Sequence, residues 1–305
     1  GRTGNARDMV DIGLFTQIVI NGLLLGGIYV TIGVGFSLAF GVLEVVDFAV
    51  GEYVMVGAFA GAILAPVFGA EGIFAIPVVL VAFFALGALV QPFIHHVTTG
   101  DRPHPLLMGL VFTFGLATFL RGSVLTIFGP NNRDVPSSLL TGGVSVPGVG
   151  TFPVVRTVTA VFGVSALVAF MYYLYRTKGG MAIRAIAEDR TNARLMGINI
   201  NRYQSIAYGA YAALTGSAGV FIGMTFTANP GMGLQYTAFA FFMVVLAGMG
   251  YLPGVILAGV VLGLTQSFTA VYVSGNLVLL VLFAIIYLVL LVSPAGILGK
   301  GEWAT

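Results

Sequence analysis

The sequence predicts an all-α integral membrane protein, a glycine-rich bundle of eight or nine transmembrane helices with a broken or re-entrant element. Three observations carry this. Hydrophobic residues make up 58% of the chain against 8% charged, with mean hydropathy +1.02, whereas a soluble globule carries roughly 25% charged residues. Residues 203–299 form 97 consecutive positions without Asp, Glu, Lys or Arg. The 27 residues 176–202 hold eight of the 24 charges (13 basic, 11 acidic), one concentrated aqueous feature in an apolar chain.

Length agrees with one membrane domain spanning 1–305, since 305 residues at ~20 per span leave room for eight to ten helices. The chain opens Gly-Arg-Thr-Gly without a methionine. Residues 1–8 are therefore set aside as foreign, Met9 is the candidate start, and 1–12 is read as an N-terminal tail. The first apolar run, residues 12–43, has 32 uncharged positions, too long for a signal peptide's apolar region. Uncharged runs and Gly, Pro and Asn punctuation then place spans at about 13–40, 49–68, 73–94, 106–128, 152–175, 204–226, 234–250, 253–273 and 276–293. The seventh is short. Gly250-Tyr-Leu-Pro-Gly254 joins it to the eighth with almost no polar loop, so this pair is the broken or re-entrant element, tolerated only where protein or a cavity covers it.

Orientation follows from Lys and Arg in short loops. Segment 176–202 carries Arg176, Lys178, Arg184, Arg190, Arg194 and Arg202 against Glu188 and Asp189, a net +4, and is assigned to the cytoplasm. His95, His96, Arg102 and His104, two spans earlier, then lie in a loop on the same side. The N-terminus falls outside, where Arg2 and Arg7 run against the rule. Segment 129–153, rich in Gly, Pro, Asn and Ser, becomes an extracytoplasmic loop suited to a soluble partner.

Glycine is abundant, 43 residues, with small-xxx-small pairs at Gly22/Gly26, Gly57/Gly61, Gly219/Gly223 and Gly259/Gly263. In lipid such pairs let helix backbones approach closely. The reading preferred for them is intramolecular packing, with a subunit interface as the alternative.

Composition also excludes. With no cysteine there is no disulfide, thiolate metal site or Cys nucleophile. Three histidines without a ligand pattern argue against a metal. The phosphate-cradling GxxxxGK[ST] pattern is absent, so this chain does not hydrolyse ATP by that route. A net charge of +2 gives no case for nucleic acid.

Ionisable residues in apolar surroundings are costly and default to a pathway or a partner. Glu44, Asp47 and Glu52 lie between the first two spans; on a continuous helix they would fall within an arc of about 140° and share a face. The bland alternative is a solvated cytoplasmic turn. Arg121, inside an uncharged run, either snorkels to the outer interface or lines the bundle interior. In the basic segment, residues 181–189 favour helix, Asp189 can N-cap a second helix over 190–196, and Gly197 is a left-handed stop. Two such helices make a lever for a soluble partner or an amphipathic strip on anionic headgroups. The residues alone leave both open.

The run Arg184-Ala-Ile-Ala-Glu-Asp-Arg-Thr-Asn-Ala-Arg-Leu-Met-Gly197-Ile-Asn199 resembles the ATPase-docking loop of the branched-chain amino-acid ABC transporter permeases, the smaller of their two paired types. Asn21-Gly-Leu-Leu-Leu-Gly-Gly-Ile-Tyr29, Asp47-Phe-Ala-Val-Gly-Glu52, Ala228-Asn-Pro-Gly-Met-Gly233 and Leu246-Ala-Gly-Met-Gly-Tyr-Leu-Pro-Gly254 are similar to that family's other motifs, in order, over about residues 13–299. Departures fall at Glu44 and Ala247, where the family usually has Gly, at Asp47 (Asn), Val50 (His) and Gln266 (a frequent Glu). They leave the transporter class intact and put the substrate in doubt, since family members also import urea, amides and small organic acids.

The resemblance implies a permease subunit of a binding-protein-dependent importer in a bacterial or archaeal inner membrane. It implies a second homologous permease, two ATP-binding subunits and an extracytoplasmic substrate-binding protein as partners, and no cofactor. Candidate pathway residues are Glu44, Asp47, Glu52, Arg121 and Gln266. Candidate docking residues are Arg184, Ala185, Glu188, Asp189, Ala193 and Gly197. The competing class is a proton-coupled secondary transporter using Glu44, Asp47 or Glu52, disfavoured because a net +4 lever has no task there; a membrane enzyme is disfavoured by the missing catalytic clusters.

Overall fold

The computed structural model describes residues 2–43, 46–69, 71–98, 104–140, 142–146, 150–248, 251–293 and 296, without the side chains of 2–12, 42, 43 and 146. Among them lie eleven α-helices and one β-hairpin: α1 (Arg2–Leu43), α2 (Val50–Val67), α3 (Ala75–Thr98), α4 (Pro105–Phe128), β1 (Gly143–Val146), β2 (Gly150–Pro153), α5 (Val154–Arg176), α6 (Lys178–Glu188), α7 (Arg190–Leu195), α8 (Ile200–Thr225), α9 (Met232–Ala247), α10 (Gly254–Tyr272) and α11 (Val278–Val292). Eight helical stretches are long and apolar enough to cross a membrane, the first being Gly13–Gly41 within α1. The exception is α9, whose 16 residues reach about 24 Å, short of the ~30 Å hydrocarbon core.

Close approaches of glycines give the relative directions of the long helices. Gly22 faces Gly263 and Leu264, Gly26 faces Gly259, and Gly33 faces Val255, so α10 runs antiparallel to α1. Gly57 faces Gly216 and Gly61 faces Val220, so α8 runs parallel to α2. The short α9 joins α8 to α10 where the sequence predicts its seventh, short span, and its Gly233 packs on Glu52 in the first turn of α2. The basic segment and the 129–153 segment lie at opposite ends of the bundle.

Helices α1 and α8 are central, with 83% of their apolar windows buried, against 11% for α4 and α11. Close crossings depend on missing side chains: a Cβ on Gly26 would lie 2.6 Å from the Gly259 carbonyl oxygen, and one on Gly263 2.2 Å from that of Gly22. The paired glycines thus work within the chain, in contacts that drive helix association in lipid where hydrophobic burial does not. Polar ties add to them. Gln91 on α3 donates to the Gln204 side chain at 3.2 Å and accepts from Ser205 at 2.8 Å, both on α8.

At the end away from the basic segment, residues 133–139 fold back on the bundle. Arg133 and Ala228 exchange backbone hydrogen bonds at 2.9 Å, and Gly72 N–H donates to the Pro136 carbonyl at 2.8 Å. The buried Glu71 carboxylate accepts from the Ser138 hydroxyl and from Leu139 N–H at 3.0 Å. His95 and His96 belong to the last turn of α3 rather than to a loop, and among the described residues no group of three His, Cys, Asp or Glu could hold a metal.

Candidate functional site

Two helices, α6 and α7, form the basic end of the bundle. Thr177 N-caps α6, its hydroxyl accepting from Gly180 N–H at 3.0 Å. The Ala182, Ile183 and Ile186 side chains are buried against the bundle while Met181 and Arg184 point away. The Arg184 guanidinium sits 4.8 Å from the Tyr175 ring centroid, a cation–π contact that holds it. Asp189 ends α6 and caps α7, accepting from Thr191 N–H at 2.7 Å and Asn192 N–H at 3.0 Å.

The end of α7 is a Schellman motif. Gly197 adopts φ +81°; its N–H donates to the Arg194 carbonyl at 3.0 Å, and Ile198 N–H donates to that of Ala193 at 3.1 Å. Glycine takes this conformation without the strain a Cβ would bring. Of the predicted docking residues, Arg184, Glu188, Asp189 and Gly197 are exposed, Ala185 is half-buried and Ala193 is buried. Sequence reading missed Leu195 and Met196, which are 79% and 83% exposed. The segment is therefore two rigidly capped helices set into the bundle's end, rather than lifted off it, with an apolar tip.

The carboxylates do not share one helical face, because the helix is not continuous: α1 ends at Leu43 and α2 begins at Val50. Glu44 lies outside the described residues. Asp47 and Glu52 are 2% and 5% exposed, which excludes a solvated turn for both. Asp47 accepts from the Tyr208 hydroxyl at 2.6 Å and from Ala49 N–H at 2.7 Å. Tyr53 and Tyr208 hydroxyls meet at 3.1 Å, and the Tyr208 and Tyr211 rings pack edge to face at 5.1 Å. This tyrosine cluster was not legible in the sequence, since its members come from α2 and α8. Glu52 occupies the space left by the absent side chain of Gly233, where a Cβ would lie 2.4 Å from its carboxyl carbon. One of its oxygens, Oε2, is buried without a hydrogen-bond partner.

Arg121 is exposed on α4, one of the least buried helices, so it does not line the interior of this chain. Gln266 on α10 is half-buried and accepts a hydrogen bond from the Tyr29 hydroxyl on α1. A charged residue the sequence reading passed over lies nearby. Arg156, in the first turn of α5, donates to the Asn21 side-chain carbonyl and rests 5.7 Å from the Phe226 ring centroid. The sequence signal was an arginine three residues past Pro153 at the head of an otherwise uncharged span.

Among the described residues, eight long apolar helices with a shorter ninth, and a capped basic helix pair at one end, make a multi-pass membrane protein. The chain belongs to the family described as branched-chain amino acid transport system / permease component, whose model matches residues 18–290. It is 31% identical to the high-affinity branched-chain amino acid transport system permease protein BraD of Pseudomonas aeruginosa, over 96% of this chain and 99% of that one. The protein of the same description named LivH in Escherichia coli is also 31% identical, over 94% of this chain and 96% of its own. The ribose import permease protein RbsC of Escherichia coli is 28% identical over 81% of this chain and 77% of its own. The chain is a permease subunit of an ABC importer in the inner membrane, a transport component rather than an enzyme, working in a complex with other components.

Proposed function

We propose that this subunit passes branched-chain or other hydrophobic amino acids, or a related small organic solute, through a pair of homologous permeases. Two ATP-binding subunits drive the pair, and a soluble binding protein delivers substrate on the extracytoplasmic side. The observation that carries the proposal is the α6–α7 pair. Met181, Leu195 and Met196 are exposed apolar side chains on an element fixed by two caps and a Schellman stop, at the end given to the cytoplasm by its net +4. Such a tip suits a partner's groove, and its anchorage on α5 would transmit a push into the bundle. The substrates named for BraD and LivH support the amino-acid class.

One observation favours a proton-coupled carrier: the unpartnered, buried Oε2 of Glu52. Asp47 speaks against it, being already satisfied by Tyr208 and Ala49. Uptake into cells with ATP maintained and the proton gradient collapsed by an uncoupler separates the two. Persistence, together with co-purification of an ATPase and a second permease in mild detergent, is the expected result. Uptake that stops with the gradient and ignores ATP would establish the carrier instead.

A further inference from the structure

The extracytoplasmic end contains a pocket of about 280 Å³ between α1, α10 and the start of α5, lined by Gln17, Asn21, Arg156, Ser267, Phe152 and Val271 among others. Its volume is near the bottom of the range for small-molecule pockets, roughly 300–1,000 Å³, so it suits a solute of a few carbons. Among the described residues its one charge is the half-buried Arg156 guanidinium, which donates to a neutral acceptor, the Asn21 side-chain carbonyl. Among the described residues, the Arg156 Nε is buried and without a partner, and no carboxylate lines the pocket. Guanidinium stays protonated in any protein environment and presents a fork matched to a carboxylate, while a cation left unpaired in a low-dielectric site is costly. The rest of the wall divides into amides and hydroxyls from Gln17, Asn21, Thr151 and Ser267, and apolar side chains from Leu14, Ile18, Phe152 and Val271.

We propose that this pocket binds the carboxylate of a small organic solute at the outer mouth of the permease, with Arg156 holding the oxyanion and the Ile18, Phe152 and Val271 side of the wall receiving an apolar tail. The assignment deepens the importer reading and rests on it for the solute's direction of travel. With no acidic side chain among its described lining residues to pair an ammonium group, the pocket recognises the carboxylate end, so a monocarboxylate lacking the amine should bind as well as the amino acid.

The test is calorimetric titration of the purified full chain, in nanodiscs of phosphatidylcholine, with 4-methylpentanoate, leucine, leucinamide and dioctanoyl phosphatidic acid. Binding of 4-methylpentanoate and leucine within a few-fold of each other, with leucinamide at least tenfold weaker, is expected. Arg156→Gln should weaken both carboxylates tenfold or more, with Arg156→Lys intermediate. Val271→Trp, on the exposed rim, should block binding without touching the buried cluster and covers the case in which Arg156→Gln misfolds. Equal binding of leucinamide, carboxylate binding indifferent to both Arg156→Gln and Val271→Trp, or no carboxylate binding at all would overturn the proposal. Binding of phosphatidic acid alone would assign the pocket to a lipid phosphate. Co-purification of the ATPase, read on the same preparation, reports on the importer reading independently.

Discussion

The Tyr208 hydroxyl donates to the Asp47 carboxylate at 2.6 Å across 161 residues of chain, tying the middle of α8 to the break between α1 and α2. Because both groups are buried, removing either strands the other, and an orphaned buried polar group costs about 1–3 kcal/mol. Asp47→Asn keeps an oxygen to accept from Ala49 N–H and turns an amide NH2 toward the Tyr208 hydroxyl, which can accept it while donating to Tyr53, so uptake by the assembled transporter should survive with its pH profile little changed. Asp47→Leu and Tyr208→Phe should each lower the melting temperature in detergent. An Asp47→Asn variant as damaged as Asp47→Leu would mean that the charge itself matters.

At the α7 stop, Gly197→Pro removes the N–H that bonds Arg194 and cannot adopt φ +81°, since proline is held near −65°. Membrane insertion should be unaffected while ATP hydrolysis no longer drives uptake. Leu195→Ser with Met196→Ser leaves those hydrogen bonds in place and should greatly weaken recovery of the ATPase with the permease. Full recovery and normal uptake in both variants would remove α6–α7 from the docking role.

Topology can be read with a single cysteine in this cysteine-free chain. Ser137 pairs with Glu71, so exposed Asn132 is the better position. Asn132→Cys should react with a membrane-impermeant thiol reagent applied from outside, and a cysteine at exposed Asn192 only after permeabilisation. The reverse pattern would invert the orientation.

The α1–α10 crossing leaves no room for added volume. Gly263→Val would drive branched carbon into the Gly22 carbonyl and the Gly26 backbone; overpacking typically costs 1–3 kcal/mol. The variant should lose monodispersity in detergent at a lower temperature than the parent. Gly115→Val, at a glycine whose added Cβ meets nothing within 4 Å, is the control and should behave like the parent.

The sequence by itself determined what depends on local chemistry: which runs avoid charge, where the charge concentrates, and where caps and stops fall. Asp189 and Gly197 were legible because a cap and a left-handed stop are made by neighbours in sequence, and the glycine pairs were legible because their spacing defines a helix face. The tertiary structure decided everything that needs two helices at once. It alone placed Asp47 against Tyr208, Glu52 over Gly233 and Tyr29 on Gln266, and it put Asp47 and Glu52 in two separate buried sites rather than on one helical face. It also brought Arg156 from the head of α5 beside Asn21 of α1. A charge's meaning in a membrane protein is set by the partner and the dielectric around it, and those belong to the packing rather than to the run of residues in which the charge occurs.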